Sequence, residues 1–226
     1  MGSMKTRIGL VHATMNSVSP MLEAFHTHYP EAELVNLMDE GLLLAVNEQG
    51  GITPEILQRF EDLVQKAVDS GTDGVLLSCS VFSPYVPDIQ KKYAIPILSV
   101  DEAMLARAVL LGERIGVVAT VVTAGPTTKG LLEQFAQASG KAVQVDVEIV
   151  PKAFEALKKG DLEQHNRLIQ ERAKKLAENA DVLVLAQISM ARAAAQLKEI
   201  GIPVLTSPLT STSSIMEQIR ARKGLE

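Results

Sequence analysis

Cysteine, aromatic residues and long apolar runs are scarce in this chain of 226 residues. The one cysteine, Cys79, cannot form an intrachain disulfide, and a reducing cytoplasm is the expected setting. The apolar stretches fall well short of the ~18 residues needed to span a bilayer, and the first residues lack the apolar segment of a secretory signal. We therefore expect neither a membrane span nor a signal peptide. Aromatic residues make up 4% of the chain, which offers no obvious pocket for an aryl group.

Strong charge and metal-binding motifs are also missing. The net charge is −5 and no basic cluster stands out, so nucleic acid is not an expected partner. No Cys and His residues have the spacing of a zinc site, so no metal is expected. Hydrophobic residues at 46% and charged residues at 22% are ordinary proportions for a globular protein, which excludes disordered and fibrous classes.

Short apolar runs alternate with longer amphipathic segments along the chain. The runs predict strands at residues 7–12, 33–37, 75–78 and 97–100. The amphipathic segments predict helices at 19–28 with Ser19 as N-cap, from Thr53 to about Asp69, and from Ser83 onward. Continuously apolar strands that alternate with helices indicate an α/β fold, in which helices cover both faces of parallel sheets.

The pattern then repeats in the second half of the chain. Three segments return in the same order at a nearly constant offset: RIGLV at 7–11 as RIGVV at 114–118, TDGVLLSC at 72–79 as ADVLVLAQ at 180–187, and AIPIL at 94–98 as GIPVL at 201–205. This predicts two similar α/β lobes, 4–112 and 113–226, related by a pseudo-two-fold axis, with a C-terminal helix able to pack back on the first lobe. Loops beyond the carboxyl ends of the strands would line a cleft between the lobes.

Cys79 ends the third predicted strand, in the stretch VLLSCSVFSP. The repeat pairs it with Gln187, and both would face the cleft from opposite sides. A helix N-terminus aimed at the sulfur would favour the thiolate, and Ser80 and Val81 with their backbone amides would cradle an anion. The alternative is a buried, inert thiol, since cysteine is among the most buried residue types. An accessible sulfur is expected if the first interpretation is right.

The duplicated halves and the motifs LLSCSVFSP, VVATVVTAGP and VLAQISMA resemble the aspartate/glutamate/hydantoin racemase superfamily, which includes arylmalonate decarboxylase and maleate isomerase. The resemblance covers essentially the whole chain. It implies a two-lobed enzyme without a cofactor, in which one cysteine per lobe exchanges a proton with the carbon next to a carboxylate. Cys79 matches the first cysteine, whereas Gln187 occupies the second position. A glutamine amide cannot shuttle a proton at neutral pH, so symmetric two-thiol racemisation is not expected.

The function expected from the resemblance is therefore a racemase or isomerase that acts on a small acid through a single cysteine thiolate. A one-cysteine decarboxylase or lyase is the first alternative, because decarboxylase relatives retain one cysteine. A protein that binds a small acid without catalysis is the second. Relatives often dimerise, so a homodimer or higher homo-oligomer is also implied.

Other side chains at strand ends are candidates for the same site. His12 is a candidate second acid/base, or else a hydrogen-bonded histidine at a strand end. Gln187, Ser189 and the amide of Ile188 would replace the missing thiol as hydrogen-bond donors, in the manner of an oxyanion hole.

Polar loop residues complete the predicted site. Thr14 and Asn16 follow the first strand, where they would bind a carboxylate or cap the next helix. Their equivalents in the second half are Thr120 and Thr123, and the resemblance implies that this loop contributes carboxylate contacts. Asn47 lies in a Gly/Asn-rich stretch that predicts either a mobile flap or an ordinary surface loop.

Overall fold

The computed structural model describes residues 5–224, which divide into two compact units. Unit 1 comprises the chain up to Val100 and the residues from Ser211 onward, and unit 2 comprises Asp101–Thr210. The sequence-based boundary after residue 112 differs from this division, because the helix that follows Val100 is grouped with unit 2. The ends of the predicted lobes, residue 4 and residues 225–226, lie outside the described residues.

Each unit contains a four-stranded parallel sheet. The order in unit 1 is β2-β1-β3-β4, formed by β1 (Arg7–His12), β2 (Glu33–Met38), β3 (Gly74–Leu77) and β4 (Ile97–Ser99). The order in unit 2 is β6-β5-β7-β8, formed by β5 (Arg114–Ala119), β6 (Gln144–Ile149), β7 (Val182–Leu185) and β8 (Val204–Thr206). The matching orders confirm the prediction of an α/β fold with two similar lobes.

Helices connect the strands in both units. Unit 1 contains α1 (Val18–His28), α2 (Gly41–Gln49), α3 (Pro54–Asp69) and α4 (Val86–Gln90). Unit 2 contains α5 (Glu102–Leu111), α6 (Ala124–Ala138), α7 (Pro151–Lys158), α8 (Leu162–Ala177) and α9 (Ala191–Ala194), and α10 (Ser207–Lys223) ends the described chain. Short 3-10 helices follow β1, β3 and β7 at Met15–Ser17, Ser80–Tyr85 and Ile188–Met190.

Two helix starts test the capping signals of the sequence. Helix α3 begins at Pro54, close to the predicted start, and Thr53 is its N-cap, whose hydroxyl oxygen accepts from the amide of Ile56 at 3.3 Å. Helix α1 begins before Ser19, so the prediction of Ser19 as its N-cap is wrong. Ser17 occupies the cap position, but its hydroxyl donates to the carbonyl of Thr14 (2.8 Å) and makes no capping bond.

Helix α2 lies where the Gly/Asn-rich stretch predicted a loop. A carboxylate oxygen of Asp39 accepts from the amide of Gly41 at 3.0 Å and satisfies one unpaired donor at the helix start. Leu42 and Val46, four residues apart, are buried on one face, and this packing stabilises a short helix of weak amphipathicity. The helix ends at Gly50, whose φ of 70° is the left-handed conformation that favours glycine.

The repeated RIG sequence has a packing explanation in both units. A Cβ atom on Gly9 would lie 3.0 Å from the Cβ of Ala67 in α3 and 3.2 Å from Cγ2 of Val75 in β3. A Cβ atom on Gly116 would lie 3.3 Å from the Cβ of Leu176 in α8. Glycine in the first strand of each unit therefore lets a helix approach the sheet closely.

Apolar cores form on the sheets of both units. In unit 1 the rings of Phe60 and Phe82 stack with centroids 4.1 Å apart and an interplanar angle of 12°. Residues of the C-terminal helix pack on the same unit, because Ile215 and Ile219 lie against Gly74. The core residues of unit 2 form apolar clusters that involve α5 and α6 in one case and α7, α8 and α9 in the other.

Candidate active site

Cys79 lies directly beyond β3, at the start of the 3-10 helix Ser80–Tyr85. Its backbone is extended, with φ −129° and ψ 107°, and its carbonyl accepts from the amide of Phe82 at 3.0 Å. The helical turn thus begins immediately after the cysteine. Cys79 is only 7% exposed and belongs to the apolar cluster that contains Val11 and Leu77. The thiol is therefore much less accessible than the sequence-based interpretation requires.

His12, the last residue of β1, is fully buried and hydrogen-bonded at both ring nitrogens. Its Nε2 lies 3.0 Å from Oδ1 of Asn36, an atom that only accepts, so Nε2 carries a proton. Its Nδ1 lies 2.7 Å from Oγ of Ser78 and 3.0 Å from Oγ of Ser17. Burial lowers the pKa of His12, and the Asn36 hydrogen bond offsets part of that shift. This geometry suits a neutral ring whose Nδ1 accepts from Ser78.

Thr14 and Asn16 lie together in the turn after β1. The hydroxyl oxygen of Thr14 accepts from the backbone amide of Asn16 at 3.3 Å, so Thr14 acts as an N-cap of the 3-10 helix Met15–Ser17. Both residues keep partial exposure. The sequence left two roles for Thr14, helix capping and carboxylate binding. Both are compatible here, because a hydroxyl oxygen that accepts a capping bond still has its own proton to donate.

The remaining predicted residues of unit 1 differ in their environment. Ser80 and Val81 open the turn after Cys79 and are partly exposed, and Val81 packs against the apolar cluster. Asn47 is exposed on α2 instead of lying in a loop. The structure gives Asn47 the setting of an ordinary surface residue, and the flap expected around it is replaced by a helix.

Gln187 occupies in unit 2 the position that Cys79 has in unit 1. It is the N-cap of the 3-10 helix Ile188–Met190, with φ −117° and ψ 145°, and its carbonyl accepts from the amide of Met190 at 3.0 Å. The backbone bond before it is also the same: Ala186 donates to the carbonyl of Val118 at 2.9 Å, as Ser78 does to Val11. The two units therefore repeat at the level of single hydrogen bonds.

The side-chain amide of Gln187 is held by Thr120, the residue that follows β5. Its Oε1 accepts from the backbone amide of Thr120 at 2.7 Å and from the Thr120 hydroxyl at 3.1 Å. These two donors fix which end of the amide is the oxygen. Its Nε2 is buried and has no hydrogen-bond partner among residues 5–224. The result is an oriented N–H donor whose hydrogen-bonding capacity is unused.

The other predicted residues of unit 2 lie near the same strand ends. Thr123 is exposed at the start of α6, and its carbonyl accepts from the hydroxyl of Thr127 at 2.9 Å. Ile188 is buried and Ser189 is partly exposed in the turn after Gln187. Of the predicted residues in unit 2, the structure brings Thr120 and Gln187 into direct contact.

Ser78 and Asn36 are functional candidates that sequence reasoning did not single out. Ser78 and Asn36 are 66 and 24 residues from His12 in sequence, so only strand pairing brings them to the ring. The available signal for Asn36 was an amide in the middle of the apolar strand ELVNLM, which needs a hydrogen-bond partner.

Possible metal ligands and possible membrane-spanning helices can be checked directly within residues 5–224. No cluster of three or more His, Cys, Asp or Glu side chains in that range could hold a metal ion. None of the helices described there combines the length and apolar character that crossing a bilayer requires.

Comparison with protein families gives one match, which spans most of the chain. The model of the family described as Asp/Glu/Hydantoin racemase matches residues 53–212, a segment that includes both Cys79 and Gln187. No curated protein matches the chain.

Solved structures with the same fold include three racemases or racemase homologues. Glutamate racemase from Francisella tularensis has a TM-score of 0.72 at 14% identity, covering 98% of this chain and 84% of that one. Allantoin racemase from Pseudomonas fluorescens has a TM-score of 0.67 at 18% identity, covering 98% and 93%. An aspartate racemase homologue from Pyrococcus horikoshii has a TM-score of 0.67 at 18% identity, covering 96% and 99%. At these identities the similarity establishes the fold.

Proposed function

The chain belongs to the Asp/Glu/hydantoin racemase family, and from this premise we propose that it is a cofactor-independent enzyme of racemase or isomerase type. Its substrate would be a small acid, and the reaction would take place at the carbon next to the carboxylate. Because Cys79 is 7% exposed, the proposal requires local opening of the surrounding residues before a substrate can reach the sulfur. A reducing compartment such as the cytoplasm is the proposed setting, because the chemistry requires a reduced thiol.

Cys79 is the proposed acid/base. Its thiolate removes the α-proton to form an S–H bond, the C–H electron pair passes into the carboxylate, and an enediolate results. Protonation by the thiol on the same face reverses the step, whereas inversion requires that water deliver the proton to the opposite face, since the amide of Gln187 cannot do so. The α-proton of a carboxylate is weakly acidic, so hydrogen bonds to the enediolate oxygens must supply several kcal/mol of stabilisation.

The observation that carries the proposal is the oriented amide of Gln187. A buried N–H donor without a partner costs about 1–3 kcal/mol, so its retention calls for an explanation. A substrate carboxylate or enediolate oxygen would accept this hydrogen bond. Thr120 already donates both its amide and its hydroxyl to Gln187, so we assign Thr120 to orienting that side chain.

The remaining strand-end groups are proposed to bind the carboxylate. They share partial exposure or a position in the first turn after a strand, and they are Thr14, Asn16, Ser80, Val81, Thr123, Ile188 and Ser189. Asn47 is left out, because it is exposed on α2. His12 receives a different role, because its ring is buried and bonded on both sides.

Gln187 also favours a second candidate, a one-cysteine decarboxylase or lyase. An amide cannot deliver a proton to the face opposite the thiol, whereas a decarboxylase needs only one face to be protonated. In that reaction the carboxylate leaves as CO2, the C–C electron pair forms the enediolate, and Cys79 protonates the carbon.

The test is proton exchange in deuterated water. The protein is incubated with 2-amino acids, 2-hydroxy acids and 2-substituted malonates, and deuterium at the α-carbon is followed by NMR. We expect incorporation with the wild type and none with Cys79→Ala. Product chirality then separates the outcomes: a racemic product indicates a racemase, and a single enantiomer with loss of CO2 indicates a decarboxylase. Clear binding without exchange across the panel would reject catalysis and leave a binding protein.

Variants of the second strand end test the role of Gln187. Gln187→Leu removes the donor, and we expect kcat to fall about 10²-fold, as when one oxyanion-hole donor is removed. Thr120→Val is the matched control, since it removes one of the two bonds to Oε1 but keeps the backbone amide that orients Gln187. A Gln187→Leu variant as active as Thr120→Val would contradict the assigned role.

A further inference from the structure

A buried polar network lies beside Cys79 in unit 1, formed by His12, Ser17, Ser78 and Asn36. His12 is fully buried, and Ser17 and Ser78 are nearly so. The two serine hydroxyls lie 3.1 Å apart and both lie within 3.0 Å of Nδ1 of His12. Asn36 lies on the edge strand β2, is exposed and accepts from Nε2 of His12. The network therefore links β1, β2, β3 and the turn after β1.

Side-chain contacts place His12 and Cys79 on opposite faces of the sheet. His12 and Ser78 bond to each other, whereas Cys79 belongs to the cluster of Val11 and Leu77, the neighbours of those two residues along their strands. Because side chains alternate along a strand, the ring points away from the face that the thiol joins. The ring of His12 is therefore linked to Cys79 through its bond to Ser78, the residue before Cys79 in the chain.

The ring contacts fix two segments at once. Ser78 donates to Nδ1, and its backbone amide donates to the carbonyl of Val11, so the residue before Cys79 is held by both side chain and backbone. Ser17 lies against the same nitrogen and donates to the carbonyl of Thr14, which holds the turn of Thr14 and Asn16. These are the segments that the proposed function assigns to proton transfer and carboxylate binding.

We propose that His12 is a positioning residue, which fixes Ser78 by accepting its hydroxyl proton at Nδ1 and packs against Ser17, and which thereby sets the place of Cys79 and of the turn after β1. The inference rests on the proposed function for its catalytic consequence. Its structural consequence, the constraint on the thiol, is independent of any activity. His12→Asn keeps an acceptor oxygen close to the position of Nδ1, so it should preserve the network, whereas His12→Leu keeps the volume and removes every bond.

The experiment measures the rate of Cys79 alkylation by iodoacetamide, which reports on this residue alone because the chain has one cysteine. The variants are His12→Asn, His12→Leu and Ser78→Ala. Loss of a buried hydrogen bond favours local opening, so we expect alkylation to be about tenfold faster in His12→Leu and Ser78→Ala, and near the wild-type rate in His12→Asn. Ser78→Ala keeps the test valid if His12→Leu does not fold.

A matched control is His165→Asn. His165 is as buried as His12 but lies in α8 of unit 2, where Nδ1 donates to the carbonyl of Ala153 at 2.8 Å, a bond that an asparagine amide can replace. We expect this variant to alkylate at the wild-type rate. Wild-type alkylation in both His12→Leu and Ser78→Ala would overturn the proposal.

Deuterium exchange separates positioning from proton transfer. If His12 is a positioning residue, His12→Asn should exchange deuterium within about tenfold of the wild-type rate. His12→Leu should lose about 10²-fold in kcat, because the thiol is misplaced. Exchange abolished in His12→Asn as completely as in Cys79→Ala, with wild-type alkylation, would show that His12 is an acid/base and overturn the proposal. Absence of exchange in the wild type would reject the proposed function and leave the alkylation result as the test of positioning.

Discussion

His12 and Gln187 are polar residues near the ends of strands, and the sequence reveals their positions but not their hydrogen-bond partners. Their places after apolar strands are visible in the sequence, and both were expected to take part in a site. Their partners are not visible, because Ser78 is 66 residues from His12 and Thr120 is 67 residues from Gln187. The partners decide the chemistry: His12 has both ring nitrogens bonded, whereas Nε2 of Gln187 has no acceptor in the part of the chain that the structure describes.

The buried ring of His12 predicts a dependence of stability on pH. Burial lowers the pKa of His12 in the folded protein below its ordinary value, so the unfolded chain binds the proton more readily. The free energy of unfolding should therefore fall as the pH drops below about 6.5, the ordinary histidine pKa, and keep falling until the folded-state pKa is passed. In His12→Asn this part of the decrease should be absent. Urea unfolding between pH 7.5 and pH 5 measures both curves, and parallel curves would contradict the prediction.

At the scale of elements, the turn that follows β3 depends on an aromatic anchor. Phe82, in the 3-10 helix Ser80–Tyr85, is fully buried and stacks on Phe60 of α3. The sequence predicted a helix from Ser83, but the turn begins earlier because Phe82 packs into the core while its amide donates to the carbonyl of Cys79. The helix α2 was missed for a related reason, since it depends on tertiary packing of Leu42 and Val46 that the local sequence does not reveal.

Phe82→Ala should therefore destabilise the fold and loosen the turn around Cys79. Loss of a buried phenylalanine side chain costs about 3–5 kcal/mol of unfolding free energy. The control is Phe154→Ala, because Phe154 is only half-buried on α7 and has Lys158 over its ring. Chemical unfolding measures the loss and iodoacetamide alkylation measures the loosening. An equal loss of unfolding free energy in Phe82→Ala and Phe154→Ala would contradict a specific contribution of the stacked rings to stability.

At the scale of the whole molecule, both units share one hydrogen bond. It joins the first residue of the first strand in each unit to the residue that precedes the third strand of that unit. In unit 1 the backbone amide of Arg7 donates to Asp73 at 2.9 Å, and in unit 2 that of Arg114 donates to Asp181 at 2.8 Å. The side chains differ. Asp73 pairs with Lys223 of α10, whereas Asp181 pairs with the guanidinium of Arg114 itself. The duplication thus retained the backbone pairing and allowed the ion pairs to diverge.

Asp181→Asn should lower the stability of unit 2 in a manner that depends on pH. Hydrogen bonds from the side chain and backbone of Arg114 lower the pKa of Asp181 to about 2. The folded form thus releases the proton more readily than the unfolded chain, so the stabilisation is complete above the ordinary pKa of about 4 and is lost as the pH falls toward about 2. We expect the difference in thermal unfolding temperature between Asp181→Asn and the wild type to be constant from pH 7 to about pH 5 and to become smaller below about pH 5.

The control for that measurement is Glu171→Gln, which removes an exposed carboxylate from α8 of the same unit. It should show a smaller difference from wild type at pH 7 than Asp181→Asn does, since exposed charges contribute little to stability. A difference for Asp181→Asn that stays the same at the lowest pH where the protein is folded would contradict an ionic origin.

Local apolar patterns and comparison of the chain with itself were enough to predict the α/β class, the strands of the first half and the duplication. The sequence also predicted that Cys79 and Gln187 end strands, whereas the structure ends those strands two residues earlier, at Leu77 and Leu185. Tertiary structure decided what those residues contact: the small exposed fraction of Cys79, the bonded ring of His12 and the unused donor of Gln187. The physical reason is that hydrogen bonds and burial at these positions join residues far apart in the chain, and only the packing of strands and helices brings such residues together.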